Sequence, residues 1–317
     1  MATMLARKRV LAAKIETTPG TAVALSASDA VFNVMTPAMT PNIEFSEREG
    51  QGGMSPLPGA LGAYAGQCTF QIECTGVASG SPEWATTFLP ACGMVGASDA
   101  YTPVSKAPGA SGGPKTLTIG LYEDGLFKKL VGAAGNARFL FTAGRVAMVE
   151  FTFFGIWADP TDVAIITPSY PTPKLHRFAS AALTLGSYTG ATAPHLASLE
   201  INQNNQVVPL ESQETEAGIK YFMVADRRYG GSMNPDAQLV ATRDHHGIWK
   251  ARTEQALSFT LGVGSGQQVA ISAPKLQFRN VQPDIATKIQ RDAIEFQLNG
   301  SDGGDADDEF EIDFAQP

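Results

Sequence analysis

Residues Thr116 to Val131 read TLTIGLYEDGLFKKLV, and this stretch decides the fold class. Eight residues of strand character, Thr116 to Glu123, run into Asp124-Gly125, a dipeptide that closes two-residue hairpins because both central positions tolerate positive φ. Leu126 to Val131 then returns. The same grammar extends outward. In Cys68 to Cys74, Cys68, Phe70, Ile72 and Cys74 alternate with Thr69, Gln71 and Glu73, the period of a half-buried strand. Ala137–Thr142 and Val146–Trp157 form a further pair, broken at Gly144. The second of these, rich in Val and Phe, suits a strand covered on both faces.

The second half repeats the pattern. Leu196–Ile201 and Gln206–Leu210 flank Asn204-Asn205, a hairpin signal, and Ile219–Ala225 reads as a strand. Ala256–Val263 and Gln267–Ala273 flank Gly264-Ser265-Gly266, and Leu276–Val281 and Ala293–Leu298 follow. Near the end, Phe310, Ile312 and Phe314 alternate with Glu309, Glu311 and Asp313, predicting a last strand with one apolar and one charged face.

Two helix starts are predicted, at Ser81-Pro82-Glu83-Trp84-Ala85 and at Asn234-Pro235-Asp236-Ala237. Each offers a capping residue, proline at the first helical position and an acid near the positive end of the helix dipole. Their spacing of 153 residues (234 minus 81) predicts an internal duplication. Residues 1–159 form a first unit, 160–175 a proline-rich connector and 176–317 a second unit. Two segments read as long loops, Ser46–Gly66 with six glycines and two prolines, and Gly96–Pro114. Loops of that length in a compact domain are usually functional.

The 317 residues carry only 17% charged side chains, against about 25% for an average soluble domain, which points to a surface shared with other protein. The net charge of −8 is local: Ser301–Pro317 holds seven acids and no base. Removing those seven from the 31 acidic residues leaves 24 against 23 basic ones, a net of −1. No broad basic patch is visible, so tight binding to a phosphate backbone is not expected. Three cysteines, Cys68, Cys74 and Cys92, suit reduced thiols. No apolar run reaches the ~18 residues of a membrane span, and the chain is expected to be made and kept, at least at first, in a cytoplasm.

Candidate chemical motifs fall away on spacing. Gly109–Thr116 (GASGGPKT) has Pro114 where a phosphate-binding loop needs a glycine, and a strand follows where that motif needs a helix. The run Gly262, Gly264, Gly266 lies between strands and reads as a turn. His245 and His246 are adjacent, a poor chelating pair on a helix, and read as histidines at a helix end. The run from Asp302 to Glu309 lacks the spacing of a calcium loop. No catalytic, cofactor or metal residues are assigned, and no enzyme activity is expected.

The order of segments resembles the major tail tube proteins of long-tailed, siphovirus-like bacteriophages. The likeness lies in Arg9–Ala22 (RVLAAKIETTPGTA), in Ser28–Val31 leading to Phe45–Glu49 (FSERE), and in Asp226-Arg227 through Gly231–Ala237 (GSMNPDA). It continues in Trp249, Gln255–Gly262 (QALSFTLG) and Ala273–Gln277 (APKLQ). It covers most of the chain, and order and spacing carry it rather than any single motif. The resemblance implies a mainly β protein with flanking short helices, a tail-tube sandwich or barrel duplicated within the chain. It also implies a structural virion role: rings stacked into the phage tail tube, the conduit for DNA ejection, assembled in the host cytoplasm. The implied partners are copies of itself, three with pseudo-sixfold symmetry or six, together with a tape measure protein and a tail terminator. DNA passes without specific binding, and no membrane is involved. On this basis Glu47, Arg48, Glu49, Met54, Leu57, Leu61 and Tyr64 are expected in an inter-ring contact loop. Asp308, Glu309, Glu311 and Asp313 are expected on a solvent-facing acidic strand. Rival readings are another ring-forming virion component (head-tail joining or tail terminator), an injection-system tube protein, or a carbohydrate-binding or hydrolytic β-sandwich.

Overall fold

A computed structural model describes residues 5, 7–97, 99–170, 175–262, 267–285, 288–301 and 307–314. The chain is mainly β with two short α-helices. In the first half the strands are β1 (Arg9–Ile15), β2 (Met35–Glu49), β3 (Pro56–Glu73), β4 (Met94–Ala97), β5 (Ala100–Pro103), β6 (Leu117–Glu123), β7 (Leu126–Thr142) and β8 (Met148–Asp162), with helix α1 at Glu83–Phe88. The second half has β9 (Thr184–Leu185), β10 (Leu196–Asn202), β11 (Gln206–Glu211), β12 (Ile219–Asp226), β13 (Gly230–Pro235), β14 (Glu254–Leu261), β15 (Val269–Asp284), β16 (Arg291–Asn299) and β17 (Glu311–Asp313), with helix α2 at His245–Ala251.

One sheet runs in the order β2-β3-β8-β7-β10-β13-β16-β15-β17-β5-β4, with β1, β6, β14 and β9 branching from it; β11 and β12 pair only with each other. The Asp124-Gly125 turn joins β6 to β7, pairing Glu123 with Leu126. The alternation at 68–74 is real: Cys68, Phe70, Ile72 and Cys74 are at most 2% exposed. Phe88 of α1 stacks into this face, its ring 5.0 Å from Phe70 and 5.1 Å from Phe151. The Trp84 indole N–H donates to the Thr75 carbonyl at 3.0 Å, tying α1 to the end of β3. A single apolar core continues from here through both halves, as far as Phe296 and Phe310. The 160–175 stretch therefore marks a join between two sets of strands that share one core, and β8 runs on through Pro160 to Asp162.

The structure departs from the expected elements in several places. Ser46–Gly66 is no loop but most of a long β-hairpin, β2 turning into β3, because its glycines and prolines sit on a projecting arm outside the core. Gly96–Pro114 likewise includes part of the β4–β5 hairpin. β7 and β15 each unite two expected strands. In β7 the glycine-rich break is a bulge, with Gly132 at φ +60° and the register shifting between Val131 and Ala134. In β15 Pro274 falls beside the register shift where β14 passes from Gln255 to Leu257, a position that spares the ladder its missing N–H. Asn204-Asn205 closes no hairpin. It bends the chain from β10 into β11, and the Asn205 side chain holds the bend by donating to the carbonyls of Cys92 and Gly135. The Gly264–Gly266 turn lies outside the described residues.

The first helix starts one residue late: Pro82 is the cap position, and the Ser81 hydroxyl donates to Asp99 instead. The second does not start at Asn234. Residues 230–235 are strand β13, paired on both sides, and the Asn234 amide donates to Asp284. The helix comes ten residues later, capped by the Asp244 carboxylate, which accepts from Gly247 N–H. His245 thus stands at the start of a helix, not its end, and is buried against Asp292 at 2.7 Å.

The distance between the helices is 162 residues (245 minus 83). At this offset Cys68 falls on Gly230, the first residue of β13. The offset does not hold for every strand, but two runs of antiparallel neighbours have the same length and order. In the first half β2·β3, β3·β8, β8·β7, β7·β6 and β6·β1 are antiparallel neighbours; in the second β10·β13, β13·β16, β16·β15, β15·β14 and β14·β9 are. The β10–β11 and β12–β13 runs occupy the places of β2 and β3.

Candidate functional site

Three surfaces stand out. The first is the β2–β3 arm. β3 pairs with β8 only from Ala65 onward, so the part of the hairpin beyond Tyr64 projects with no strand beyond its own two. All residues from Thr40 to Glu49 are exposed. Glu47, Arg48, Glu49, Met54, Leu57 and Leu61 all lie on this arm, and Leu61 is 61% exposed. Tyr64 sits at its base, half-buried, with its N–H donating to the Ala217 carbonyl. Two more apolar side chains of the arm, Ile43 and Phe45 (59% exposed), were not singled out in the sequence. Solvent-exposed aromatic and aliphatic residues gathered on one element mark an interaction surface. Pro37 and Pro41 remove two donors from β2, which blunts its unpaired edge against uncontrolled strand addition.

The second surface is the acidic C-terminal segment. Asp308, Glu309, Glu311 and Asp313 are half-buried. β17 is inserted between β15 and β5. Phe310 is fully buried between Phe139 and Tyr229, with ring centroids 5.3 and 5.5 Å away. Arg227 then clamps the segment through ion pairs to Asp307 and Glu309. Burial opposes the Arg227 charge, but hydrogen bonds to these two carboxylates outweigh it and raise its pKa. Burial likewise opposes ionisation of Asp307, yet donation from the Ser105 hydroxyl and N–H and from Arg227 holds its pKa below the usual range. The acids read as a charged strand face are thus in part an internal latch. The burial of Phe310 was legible; its basic partner, 82 residues earlier in the chain, was not. Asp302 to Ala306 lie outside the described residues.

The third surface is a cleft of about 1050 Å³ between the β12–β13 turn, the outer face of β16 and the segment after β5. Lys106, Arg227, Arg228 and Arg279 are its basic lining residues, and Glu200, Asp226, Glu295 and Glu309 its acids. The Arg228 side chain is 85% exposed and makes a 3.6 Å contact with Asp226. On the same sheet face Gln277, Gln297 and Asn299 form an amide ladder, and Arg138 bridges Glu150 and Glu200. Among the described residues, no group of three or more His, Cys, Asp or Glu side chains is placed to hold a metal ion. No helix among them is long and apolar enough to cross a membrane. The three cysteines are unpaired and buried. No protein-family model matches the chain, and no curated protein matches it significantly.

Proposed function

We propose that the chain is a structural protein that assembles with copies of itself into stacked rings enclosing a conduit for DNA, the tail tube of a long-tailed bacteriophage. One observation carries this reading: two successive sets of strands with the same order of pairings are fused edge to edge, β7 to β10, into one sheet. A unit that joins its own repeat laterally has the means to join the next copy, and a sheet that closes on itself leaves no edges. Two units per chain make three chains the natural closure, a pseudo-sixfold ring. Units 1–159 and 176–317 are then the repeating tube elements and 160–175 their link.

The chemistry of the polar sheet face suits a passage for duplex DNA. DNA carries about one negative charge per 1.7 Å of axis, so a free basic wall would hold it at every ring. At the join of the two sets of strands Arg138 is neutralised by two glutamates. No catalytic role is proposed. A tape measure protein, a tail terminator and a virion location follow as part of the same reading. The exposed β2–β3 arm is an assembly contact within it.

The test is rotational symmetry. Purified protein, or tubes assembled from it, imaged end-on by electron microscopy should show three chains and six density lobes per ring. Six chains per ring would overturn the duplicated-unit reading, and the absence of any ring would overturn the tube.

A further inference from the structure

The second half buries what the first half leaves exposed. At the 162-residue offset, Phe45 on the arm corresponds to Val207 on β11, and Leu57 to Ile219 on β12. Ile219 and Phe222 are 3% and 5% exposed. With Val207 they pack on Ala134 of β7, Phe154 and Ile156 of β8, and Ala63 and Ala65 of β3. The β11–β12 hairpin thus lies flat on the outer face of the first unit. Its counterpart, the β2–β3 arm, has Phe45 59% and Leu57 43% exposed.

The order of pairings locates the face that would receive the arm. By that order β7 and β8 correspond to β15 and β16, and β3 to β12 and β13. Gln297 and Asn299 of β16, Ala225 of β12 and Arg227 just after it line the cleft of about 1050 Å³. The chain's own arm cannot reach it. Six strand spacings separate β2 from β16 in the sheet order, or roughly 29 Å at about 4.8 Å each.

We propose that the β2–β3 arm of one copy docks in the β12–β13/β16 cleft of a second copy, as β11–β12 docks on β7 and β8 within one chain. The proposal rests on self-assembly and makes the flank of the arm a lateral contact, leaving the tip around Met54 to reach beyond. It is a head-to-tail contact, so each copy gives one arm and receives one.

The test is a disulfide between Phe45→Cys and Gln297→Cys in the full chain. The native thiols are buried, and the two sites are too far apart within one chain to bridge, because a disulfide needs Cα atoms within about 7 Å. Oxidised double variant should run as covalent dimers and trimers on a non-reducing gel, and each single variant as monomer. A covalent dimer from Phe45→Cys alone would overturn the assignment by placing arm against arm. Assembly seen by light scattering without the ladder would overturn this docking while leaving the ring reading intact. No assembly of the unmodified chain at any concentration would overturn both. As a second measure, Phe45→Asp with Leu57→Asp alters side chains that are exposed in the monomer, so the far-ultraviolet circular dichroism should be unchanged. Self-association should weaken at least tenfold, and unchanged association would overturn the proposal.

Discussion

Arg138 on β7 grips Glu200 on β10 with two parallel hydrogen bonds, Nε to Oε1 at 2.7 Å and Nη2 to Oε2 at 2.8 Å. A third bond, Nη1 to Glu150 on β8 at 3.1 Å, completes a bridge over three adjacent strands. The planar fork of arginine suits this two-point contact. The bridge spans the join at which Leu199 faces Phe141 and Ile201 faces Phe139, so it marks where one set of strands meets the next.

Arg138→Ala should therefore loosen that join only modestly. The side chain is 40% exposed, and solvent screens it. We expect a loss of about 1 kcal/mol by urea unfolding. A double-mutant cycle with Glu200→Ala should return a coupling of about 0.5 kcal/mol or more; strict additivity would show that the pair contributes nothing.

Glu16 is a different case. Its carboxylate is 3% exposed and faces no cation in its bonding set. It accepts from the hydroxyls of Thr116 and Thr118 and from the N–H groups of Gly20 and Gly132, at 2.7 to 2.8 Å. It thereby pins the 17–22 segment against β6 and β7. Glu16→Ala strands four donors, three of them buried, and the cost should be about 3 kcal/mol or more, since each unsatisfied buried group costs about 1–3 kcal/mol. Thr118→Val, which removes a single donor, should cost less than half as much.

Acid should destabilise the fold through Asp236. Burial works against its ionisation, but bonds from Arg243, Gln238 and the His195 N–H outweigh it and hold its pKa well below the ordinary carboxylate range. A lowered folded pKa means that the stabilisation is complete above the unfolded value of about 3.9 and is lost as pH falls toward the folded one. The urea midpoint should be level near pH 6 and fall below about pH 4. Asp236→Asn should flatten that fall. It should also cost about 3 kcal/mol at neutral pH, because Arg243, 5% exposed, loses its charged partner. An unchanged acid limb in the variant would remove Asp236 from the explanation.

Much of the strand content was legible because period-two alternation and the Asp124-Gly125 turn are local signals. Cys68 to Cys74 shows it best: every second residue is in the core. The second helix was expected in the wrong place. Asn234-Pro235-Asp236 carries the chemistry of a helix start, yet β10 and β16 flank residues 230–235 and draw them into the sheet. Tertiary pairing overrode local propensity there. The arm was hidden for the opposite reason. Residues 50–62 carry the glycines and prolines of a loop, and only pairing with β2 makes a strand of 56–62. The cleft was out of reach, because it is assembled from segments near residues 106, 228, 279 and 297.

Burial should keep the thiols silent. It pushes Cys68 and Cys74 up to about 12 and raises Cys92 as well, so none holds appreciable thiolate at neutral pH. A thiol reagent added to native protein should label fewer than one cysteine per chain over an hour, and all three after denaturation. Rapid labelling of the native chain would mean that β3 or the segment after α1 opens far more readily than so closed a core implies.

Removing Gln51 to Gly62 separates the arm from the fold beneath it. The deletion takes the tip and the outer part of β3, while the β3–β8 ladder from Ala65 to Glu73 and its Phe70 packing remain. What is left of the outer part of β2, from Glu44 to Gly50, becomes a short exposed loop, and closing a loop of that size adds little entropy cost. The variant should therefore unfold within about 2 °C of the parent and keep its circular dichroism. If the arm is the assembly contact, negative-stain images should show no tubes at concentrations where the parent forms them. Tubes of normal length from the deleted chain would exclude the arm from assembly, and a large drop in Tm would show that it supports the monomer instead.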